Sequence, residues 1–406
     1  MANVSSSNGL EKRPKLRFPG FDEPWKPALL SDYFAKNIKK NADGAITNVI
    51  CNSAKQGLIP QRDYFDKDIA NSDNTDGYYI IETNDFVYNP RKSTDAPYGP
   101  ISSYKYPEAG IVSPLYLCFR AKQEINPLYF EWYFRSSAWH RYIYMSGDSG
   151  ARHDRVSIKD DTFFAMPINI PSAKEQDRIA LFLNAIEQRI DKQRSLVEAL
   201  KKYKRGLLNK VFSNINGNIY PTVYLSEVAD FLQGLTYSPS DVSVAGYLVL
   251  RSSNIQNGVL SFDDCVYVDK KVDESLQVKC DDVIMCVRNG SKKLVGKTAL
   301  IPNNMAMTTW GAFMMIIRSK LNDTYIFHYL NSQMFFSQVF KDTGTATINQ
   351  ITKGILNECK LPLPPETARK QISKMLSSFD VKIQNAEMCL TTLVELKKAL
   401  LQQLFI

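Results

Sequence analysis

Apolar residues recur at alternating spacings of four and three in two stretches of the chain, the pattern of helices that pair in a coiled coil. Neither stretch has an internal proline, and each follows a proline, which suits a helix start. The pattern predicts a central helix over 172–212 and a C-terminal helix over 365–406. The predicted seam consists of Ile179, Leu183, Ile186, Ile190, Val197 and Leu200 in the first helix and Ile372, Leu376, Phe379, Ile383, Leu390 and Leu393 in the second.

The two helical stretches are copies of each other. Residues 168–212 align without a gap to residues 361–405 at a constant offset of 193. A period of almost half the chain indicates a duplicated module and not a solenoid array. The alternative, two unrelated amphipathic helices on separate cores, is disfavoured by the gapless match. The copies share Pro171/Pro364, Ile179/Ile372, Leu183/Leu376, Ile190/Ile383, Leu200/Leu393, Lys204/Lys397, Leu207/Leu400, Leu208/Leu401 and Phe212/Phe405.

The direction of pairing follows from one seam position, which is Lys204 in one copy and Lys397 in the other. A parallel pair would place the two ammonium groups in one layer, which is unfavourable. An antiparallel pair centred near residue 195 would place Lys204 near Phe379 instead. We therefore predict an antiparallel pair, from about 174 to 211 and about 367 to 404, that acts as a spacer between two globular parts.

The regions outside the helices repeat more faintly and mix strand-like and helical patterns. Strands are predicted within "ITNVICNSA", "DFVYN", "SPLYLCFRA", "YLVLRSS", "DVIMCVRNG" and "GAFMMIIRS", and one aromatic-rich helix each over 127–144 and 323–340. Matching residues include Asp85/Asp282, Arg120/Arg318, Tyr129/Tyr325 and Tyr133/Tyr329. We predict a mixed α/β (α+β) fold with two homologous globular domains and an internal pseudo-two-fold. The predicted segments are a flexible arm (1–24), domain 1 (25–171), the central helix (172–212), a linker (213–221), domain 2 (222–364) and the C-terminal helix (365–406).

Composition narrows the functional class without deciding it. The 406 residues carry a net charge of +8, which permits nucleic-acid binding but does not establish it. No apolar run is long enough to span a membrane and the N-terminus has no secretory pattern, so we expect a cytosolic protein. Seven scattered cysteines fit reduced thiols.

The sequence contains no complete motif for phosphate binding, metal binding or methyl transfer. The segment "SKKLVGKT" has Ser291 where a phosphate-binding loop requires glycine, so we interpret it as a basic turn and strand. The three histidines and the cysteines lack metal-ligand spacing, and no glycine-rich cofactor loop of a methyltransferase is present. We therefore expect no metal, no cofactor and no catalytic residues in this chain.

Basic, amide-rich turns lie at corresponding places in the two domains. They include "NSAKQG", "NPRKS" and "GARHDR" in domain 1 and "RSSN", "RNGSKK" and "TGTATINQ" in domain 2. Arg, Lys, Asn and Gln side chains fit base edges and phosphates, although any one such turn is more often only a solvated loop. The candidate DNA-binding residues are Lys55, Gln56, Arg91, Lys92, Arg155, Arg251, Asn254, Arg288, Asn289, Lys292 and Lys293.

The sequence resembles the specificity subunits of type I restriction-modification systems. The motifs are "LPLPPETARKQISKMLSSFDVKI" with "ELKKALLQQLF", their copy "INIPSAKEQDRIALFLNAIEQRI" with "ALKKYKRGLLNKVF", the opening "PKLRFPGFDEPWKPALLSDYF" and "RNGS" with "LVGK". Glu175-Gln176 match the family pattern after the proline, whereas Ala368-Arg369 depart from it.

The resemblance implies two target-recognition domains that each bind half of a bipartite double-stranded DNA site, with the helix pair fixing the gap between the halves. It also implies two methyltransferase subunits, which would carry S-adenosylmethionine, and motor-nuclease subunits as partners. Two alternatives compete with it. One is a duplicated coiled-coil scaffold that binds only proteins, and the other is an enzyme, which the missing motifs disfavour.

Overall fold

The computed structural model describes residues 2–3, 13–64, 75–147, 154–213, 220–302, 305–341 and 350–406. The chain forms two compact units, residues 1–192 with 389–406 (unit 1) and residues 193–388 (unit 2). The fold class is mixed α/β, as predicted. No helix among the described residues is both long and apolar enough to cross a membrane.

Unit 1 is built on a four-stranded antiparallel sheet in the order Phe34–Lys36, Leu117–Ala121, Phe86–Tyr88 and Ile101–Ser103. Its aromatic core contains Phe34, Phe86, Phe119 and Phe134, whose rings meet at 5.3 to 6.4 Å. The other strands are Ala2–Asn3, Leu16–Arg17, Lys26–Leu29, Ile50–Ser53, Gly57–Pro60, Tyr79–Ile81, Gly110–Val112 and Pro167–Ile170. The short helices are Leu30–Tyr33, Gln61–Tyr64, Pro127–Arg135, His140–Ser146 and Asp160–Phe164.

Unit 2 has a matching sheet in the order Ala229–Gln233, Met314–Ser319, Val283–Cys286 and Thr298–Leu300. A second sheet joins Val242–Ser243, Tyr267–Val268, Tyr247–Leu250 and Thr308–Trp310. The remaining strands are Thr222–Tyr224, Ile255–Gln256, Val259–Leu260 and Lys360–Pro362. The short α-helices are Leu225–Val228, Tyr325–Leu330, Gln333–Val339 and Lys353–Glu358, and the 3₁₀ turns are Pro239–Asp241, Ser252–Asn254, Glu274–Leu276 and Lys292–Leu294.

An ion pair between an arginine and a buried aspartate repeats at the same place in both sheets. The Arg120 guanidinium donates to both carboxylate oxygens of Asp85 at 2.6 and 2.7 Å, and Arg318 does the same to Asp282 at 2.8 and 2.7 Å. Both carboxylates are almost fully buried, and hydrogen bonding to them raises the pKa of each arginine. The residues that match in sequence are therefore partners in space, which supports a common origin for the two units.

The long helices are Ala173–Phe212 and Glu366–Leu404, and each contributes part of its length to unit 1 and part to unit 2. They pair antiparallel in both units: Lys397 lies 2.6 Å from Glu187 in unit 1, and Lys201 lies 2.8 Å from Glu387 in unit 2. The predicted direction and the centre near residue 195 are confirmed. None of the twelve predicted seam side chains is exposed.

The seam lysines are accommodated by repeated ion pairs. Lys204 pairs with Asp380, and its copy Lys397 pairs with Glu187, the copy of Asp380. The predicted neighbour Phe379 precedes this Asp380, and the ring of Tyr203, which precedes Lys204, packs against it at 5.2 Å. An antiparallel arrangement thus gives each seam lysine an acid instead of a second cation.

The two predicted aromatic helices are each broken into two, and this part of the prediction was wrong. In unit 1 the break follows Arg135, where the Ser136 hydroxyl donates to the Tyr133 carbonyl at 2.6 Å. In unit 2 Ser332 donates to Tyr329 in the same way and also caps the next helix by accepting from the Phe335 N–H. Serine side chains that bond to the local backbone favour helix ends.

Each aromatic helix packs against a phenylalanine at the C-terminal end of a long helix, Phe212 as the last residue of the first and Phe405 directly after the second. Phe405 contacts the rings of Tyr129 and Tyr133 at 5.7 and 6.2 Å in unit 1. Phe212 contacts Tyr325 and Tyr329 at 5.1 and 5.7 Å in unit 2. The packing therefore repeats between the copies.

The predicted flexible arm, 1–24, is partly packed. Arg17 is buried and its guanidinium donates to both oxygens of the buried Glu175 at 2.7 and 2.8 Å. The Phe18 ring packs against Phe182 at 5.3 Å. For the described residues 13–24 a flexible arm is therefore the wrong description, because the charge pair anchors Arg17 to the start of the central helix.

Candidate nucleic-acid interface

Unit 1 carries an open concavity of about 560 Å³ beside its main sheet. Three turns form it: the hairpin that starts with Ile50–Ser53, the loop that follows Phe86–Tyr88, and the turn before Leu117–Ala121. The lining residues include Asn52, Ser53, Gln61, Tyr78, Asn89, Arg91, Lys92, Leu115, Tyr116 and Arg155. Its donors are therefore guanidinium, ammonium, amide and phenol groups.

Backbone hydrogen bonds bring three of the predicted cations together at this concavity. Arg91 and Arg155 face each other in an antiparallel β-bridge. The Lys92 N–H donates to the Asp154 carbonyl at 2.8 Å, which holds the two segments side by side. Three cationic side chains on adjacent backbone segments suit an anionic ligand such as a phosphate.

Unit 2 has an equivalent and larger concavity of about 1090 Å³. The turns that contain Arg251, Arg288 and Phe313 lie about 200 residues further along the chain than the three turns of unit 1, and residues 235–242 add a further wall. Arg288 takes the place of Arg91 and forms the corresponding bridge with Gln350. The lining residues include Thr236, Tyr237, Arg251, Ser253, Asp264, Arg288, Asn289, Gly311 and Phe313.

The polar groups of this second concavity are partly unsatisfied. Arg251 forms an ion pair with Asp264 at 2.8 Å, but its buried Nε has no hydrogen-bond partner in the described part of the chain. The same holds for the buried Ser253 hydroxyl. Asn289 donates to the Ser252 hydroxyl at 3.2 Å and accepts from the Ser291 N–H at 3.0 Å. Both of these atoms are buried, so a ligand in the concavity would contact Asn289 and the exposed part of the Arg251 side chain instead.

The prediction for Asn254 was wrong. Its side chain is fully buried and donates to the Ser261 and Asp264 carbonyls at 3.0 Å each, while its oxygen accepts from the Arg251 N–H at 2.8 Å. These bonds close the 3₁₀ turn Ser252–Asn254. Asn254 is therefore a structural residue that no DNA base could reach.

Other predicted residues lie outside the two concavities. Gln56 is exposed in the hairpin turn, and Lys55 forms an exposed ion pair with Asp95 at 3.4 Å. Lys292 and Lys293 are exposed on a 3₁₀ turn before a strand, so the near-match to a phosphate loop is a basic turn and strand. Residues 150–153 of "GARHDR" and 343–349 of "TGTATINQ" lie outside the described residues.

The concavities also contain residues that the sequence prediction missed. Tyr116 and Leu115 line the first, and Tyr237 and Phe313 line the second. A search for basic and amide side chains passes over them, although Leu115 and Phe313 match at an offset of 198, within the range of the faint repeat. In the described residues no three His, Cys, Asp or Glu side chains gather in a way that could hold a metal ion.

Comparison with known proteins identifies the second half of the chain. The family model "Type I restriction modification DNA specificity domain" matches residues 220–393. Residues 220–393 are therefore similar to this specificity domain. The predicted resemblance to specificity subunits of type I restriction-modification systems is therefore confirmed, and this domain contains the second concavity.

Two curated relatives are 26% identical to the chain. One is the StySPI specificity subunit of Salmonella potsdam, matched over 44% of this chain and 40% of its own length. The other is the EcoKI specificity subunit of Escherichia coli K12, matched over 40% of this chain and 36% of its own length. The chain thus spans well under half the length of these relatives.

Solved structures share the fold along almost the whole chain. A chain from work on complex assembly and conformational transition of the type I R-M system covers 96% of this chain and 99% of its own length, with a TM-score of 0.60 and 18% identity. The S subunit of a type I system from M. genitalium covers 97% and 99%, with a TM-score of 0.57 and 14% identity. The likeness extends to residues 1–192 of unit 1, which the family model does not match.

Proposed function

We propose that this chain is the DNA specificity subunit of a type I restriction-modification complex and is itself non-catalytic. Each unit binds one half of a bipartite double-stranded DNA site through its concavity. The observation that carries this proposal is the repetition of one basic concavity, on equivalent loops, in both units. A duplicated binding surface suits a ligand with two recognition elements.

The chemistry of the concavities supports DNA as the ligand. Arg91 and Arg288 occupy equivalent bridges, and a guanidinium can bind either a phosphate or the O6 and N7 acceptors of guanine. Lys92 and Arg155 add positive charge in unit 1, and Arg251 and Asn289 add donors in unit 2. Lysines outside the concavities, such as Lys55, Lys292 and Lys293, are better placed for phosphates than for bases.

The helix pair is the proposed spacer, and methyltransferase and motor-nuclease subunits are the proposed partners. The long helices expose apolar side chains such as Leu181 and Leu396 in unit 1 and Tyr203 and Met388 in unit 2. Exposed apolar side chains on paired helices are suited to a protein partner. Methylation would then be supplied by the partner together with its S-adenosylmethionine.

A salt titration tests DNA binding against the scaffold alternative. The full chain is assembled with its methyltransferase subunits, and its affinity for a genomic duplex is measured between 50 and 200 mM salt. We expect sequence-preferring affinity that falls steeply with salt, because cationic groups displace counterions from phosphates. Arg91→Ala and Arg288→Ala should each weaken it. Affinity that is absent, or independent of sequence and of both arginines, would favour a protein-only scaffold.

A further inference from the structure

Each concavity has a large apolar side chain at the tip of an equivalent turn. Leu115 is 61% exposed in unit 1 and Phe313 is 60% exposed in unit 2. Both precede the second strand of the main sheet in its spatial order, Leu117–Ala121 in unit 1 and Met314–Ser319 in unit 2. A single exposed apolar residue needs no explanation, but the same exposure at the same corner of two diverged copies does.

The two tips are held in place by their backbones. The Tyr116 N–H donates to the Ser113 carbonyl at 3.0 Å, and the Met314 N–H donates to the Gly311 carbonyl at 2.8 Å, so each turn is closed by the same bond. In unit 2 the turn packs directly on Gly234, where an added Cβ would lie 2.1 Å from the Gly311 oxygen. An exposed side chain on a fixed turn is already oriented for a ligand, and ordering it on binding costs little.

In unit 2 the tip lies beside the arginine of its concavity, and in unit 1 the tip shares a concavity with the equivalent arginine. The Phe313 carbonyl accepts from the N–H groups of Val287 and Arg288 at 3.0 and 3.2 Å, and the Arg288 guanidinium lies 5.3 Å from the centre of the Phe313 ring. In unit 1, Leu115 and Arg91 line the same concavity. The feature shared by both units is therefore an apolar tip and an arginine that line one concavity, and in unit 2 the two are in contact.

We propose that Leu115 and Phe313 are specificity-determining residues that contact the 5-methyl group of thymine in the major groove, one in each half-site. The methyl group of thymine is the apolar feature among the base edges of that groove, and the guanine acceptors that suit arginine lie in the same groove. An apolar tip beside a guanidinium matches a thymine next to a guanine. This inference rests on the proposed function, because it assumes that the concavities bind duplex DNA.

Replacing thymine by deoxyuridine tests the contact, since deoxyuridine lacks only the methyl group. The probes are duplexes of the methylated site with deoxyuridine in one half-site or the other, and the protein is the full chain with its methyltransferase subunits. We expect the half-site bound by unit 2 to lose about fourfold in affinity per contacted thymine, as burial of one methyl-sized group predicts. The Phe313→Ala variant should lose affinity for thymine DNA and become insensitive to deoxyuridine in that half-site.

The two units serve as matched controls for each other. Phe313→Ala should leave the deoxyuridine effect in the other half-site unchanged, and Leu115→Ala should show the reverse pattern. Because both side chains are exposed, neither variant should lower the melting temperature appreciably, and Phe313→Leu should restore part of the thymine preference.

Three results would overturn the inference while leaving the proposed function intact. They are a half-site without thymine, an unchanged affinity on deoxyuridine substitution, and equal deoxyuridine sensitivity in wild type and in the matching Ala variant. The last result would fit a side chain that wedges between base steps instead. Failure of the proposed function has a different signature, which is no preference for the methylated site over a scrambled duplex in any variant.

Discussion

The ion pair between Lys204 and Asp380 offers a quantitative test of how the helix pair is stabilised in unit 2. The Lys204 side chain is 13% exposed and that of Asp380 is 27% exposed. The fully buried His328 lies beside them, with Nδ1 3.8 Å from Asp380 Oδ2. Burial lowers the pKa of His328 to about 3, so this ring is neutral at pH 7 and cannot replace the lysine as a counter-charge.

Lys204→Met keeps the aliphatic stem and removes the charge, which leaves the Asp380 carboxylate largely buried without its cation. We expect a loss of about 1 to 3 kcal/mol in the free energy of unfolding at pH 7, the usual cost of an unsatisfied buried partner of a charged group. The copy, Lys397→Met, is the matched control. Its pair with Glu187 is somewhat more exposed on the lysine side, at 22%, so the loss should be smaller.

The pH dependence of this loss of stability shows whether the unpaired Asp380 carboxylate causes it. Burial raises the pKa of Asp380, and Lys204 lowers it. A carboxyl whose folded pKa is raised binds more protons in the folded chain, so stability decreases as pH rises from the unfolded pKa through the folded one. Without Lys204 the folded pKa rises further, so the penalty of Lys204→Met should be largest at pH 7 and shrink towards pH 4.

Urea unfolding at pH 4 and pH 7 measures this penalty, and hydrogen exchange of peptides around residues 372–386 locates it. The double variant Lys204→Met/Asp380→Asn should recover much of the stability at pH 7, because no carboxylate charge then remains buried. An equal penalty at both pH values, or no recovery in the double variant, would refute the reasoning.

The sequence predicted the parts of the fold that have a strong periodic signal. The four-three spacing of apolar residues such as Leu183, Ile190 and Leu376 predicted the two helices. The shared lysines predicted their direction and register, because few pairings keep every apolar side chain in the seam and the lysines apart. In the sequence, Asp85 and Arg120 could be recognised only as residues that match Asp282 and Arg318 in the other copy. Their contact could not be derived, since it depends on strand order.

The candidate site was harder to predict, because side-chain type does not determine burial. Asn254 and Asn289 lie in similar turns, yet Asn254 is enclosed by its own turn and Asn289 lines the concavity. The missed residues Leu115 and Phe313 are apolar, and an apolar residue in a turn is indistinguishable from a core residue until the turn is placed. The breaks at Ser136 and Ser332 were missed because the aromatic runs around them look continuous.

Two further predictions follow from the same structure. Asn254→Ala should lower the free energy of unfolding by about 1 to 3 kcal/mol, because it leaves buried backbone groups without hydrogen-bond partners. The DNA motif that the complex methylates should stay unchanged. Thermal unfolding measures the loss, and Lys292→Ala, at an exposed position, is the control for stability. Inserting four residues after Gln193 and four after Ala386 adds about one turn, roughly 6 Å, to each long helix. If the helix pair sets the spacing, the gap between half-sites in the methylated motif should grow by one or two base pairs at about 3.4 Å each. An unchanged gap with retained activity would show that the helices do not set it.

The central claim is that the two units bind two halves of one DNA site independently. The most direct measurement is the methylated motif, obtained by methylome sequencing, of a host in which residues 25–171 have been replaced by the corresponding domain of a relative. We predict that one half of the motif changes while the other half and the gap stay the same. A motif in which both halves change together, or in which neither changes, would contradict the account.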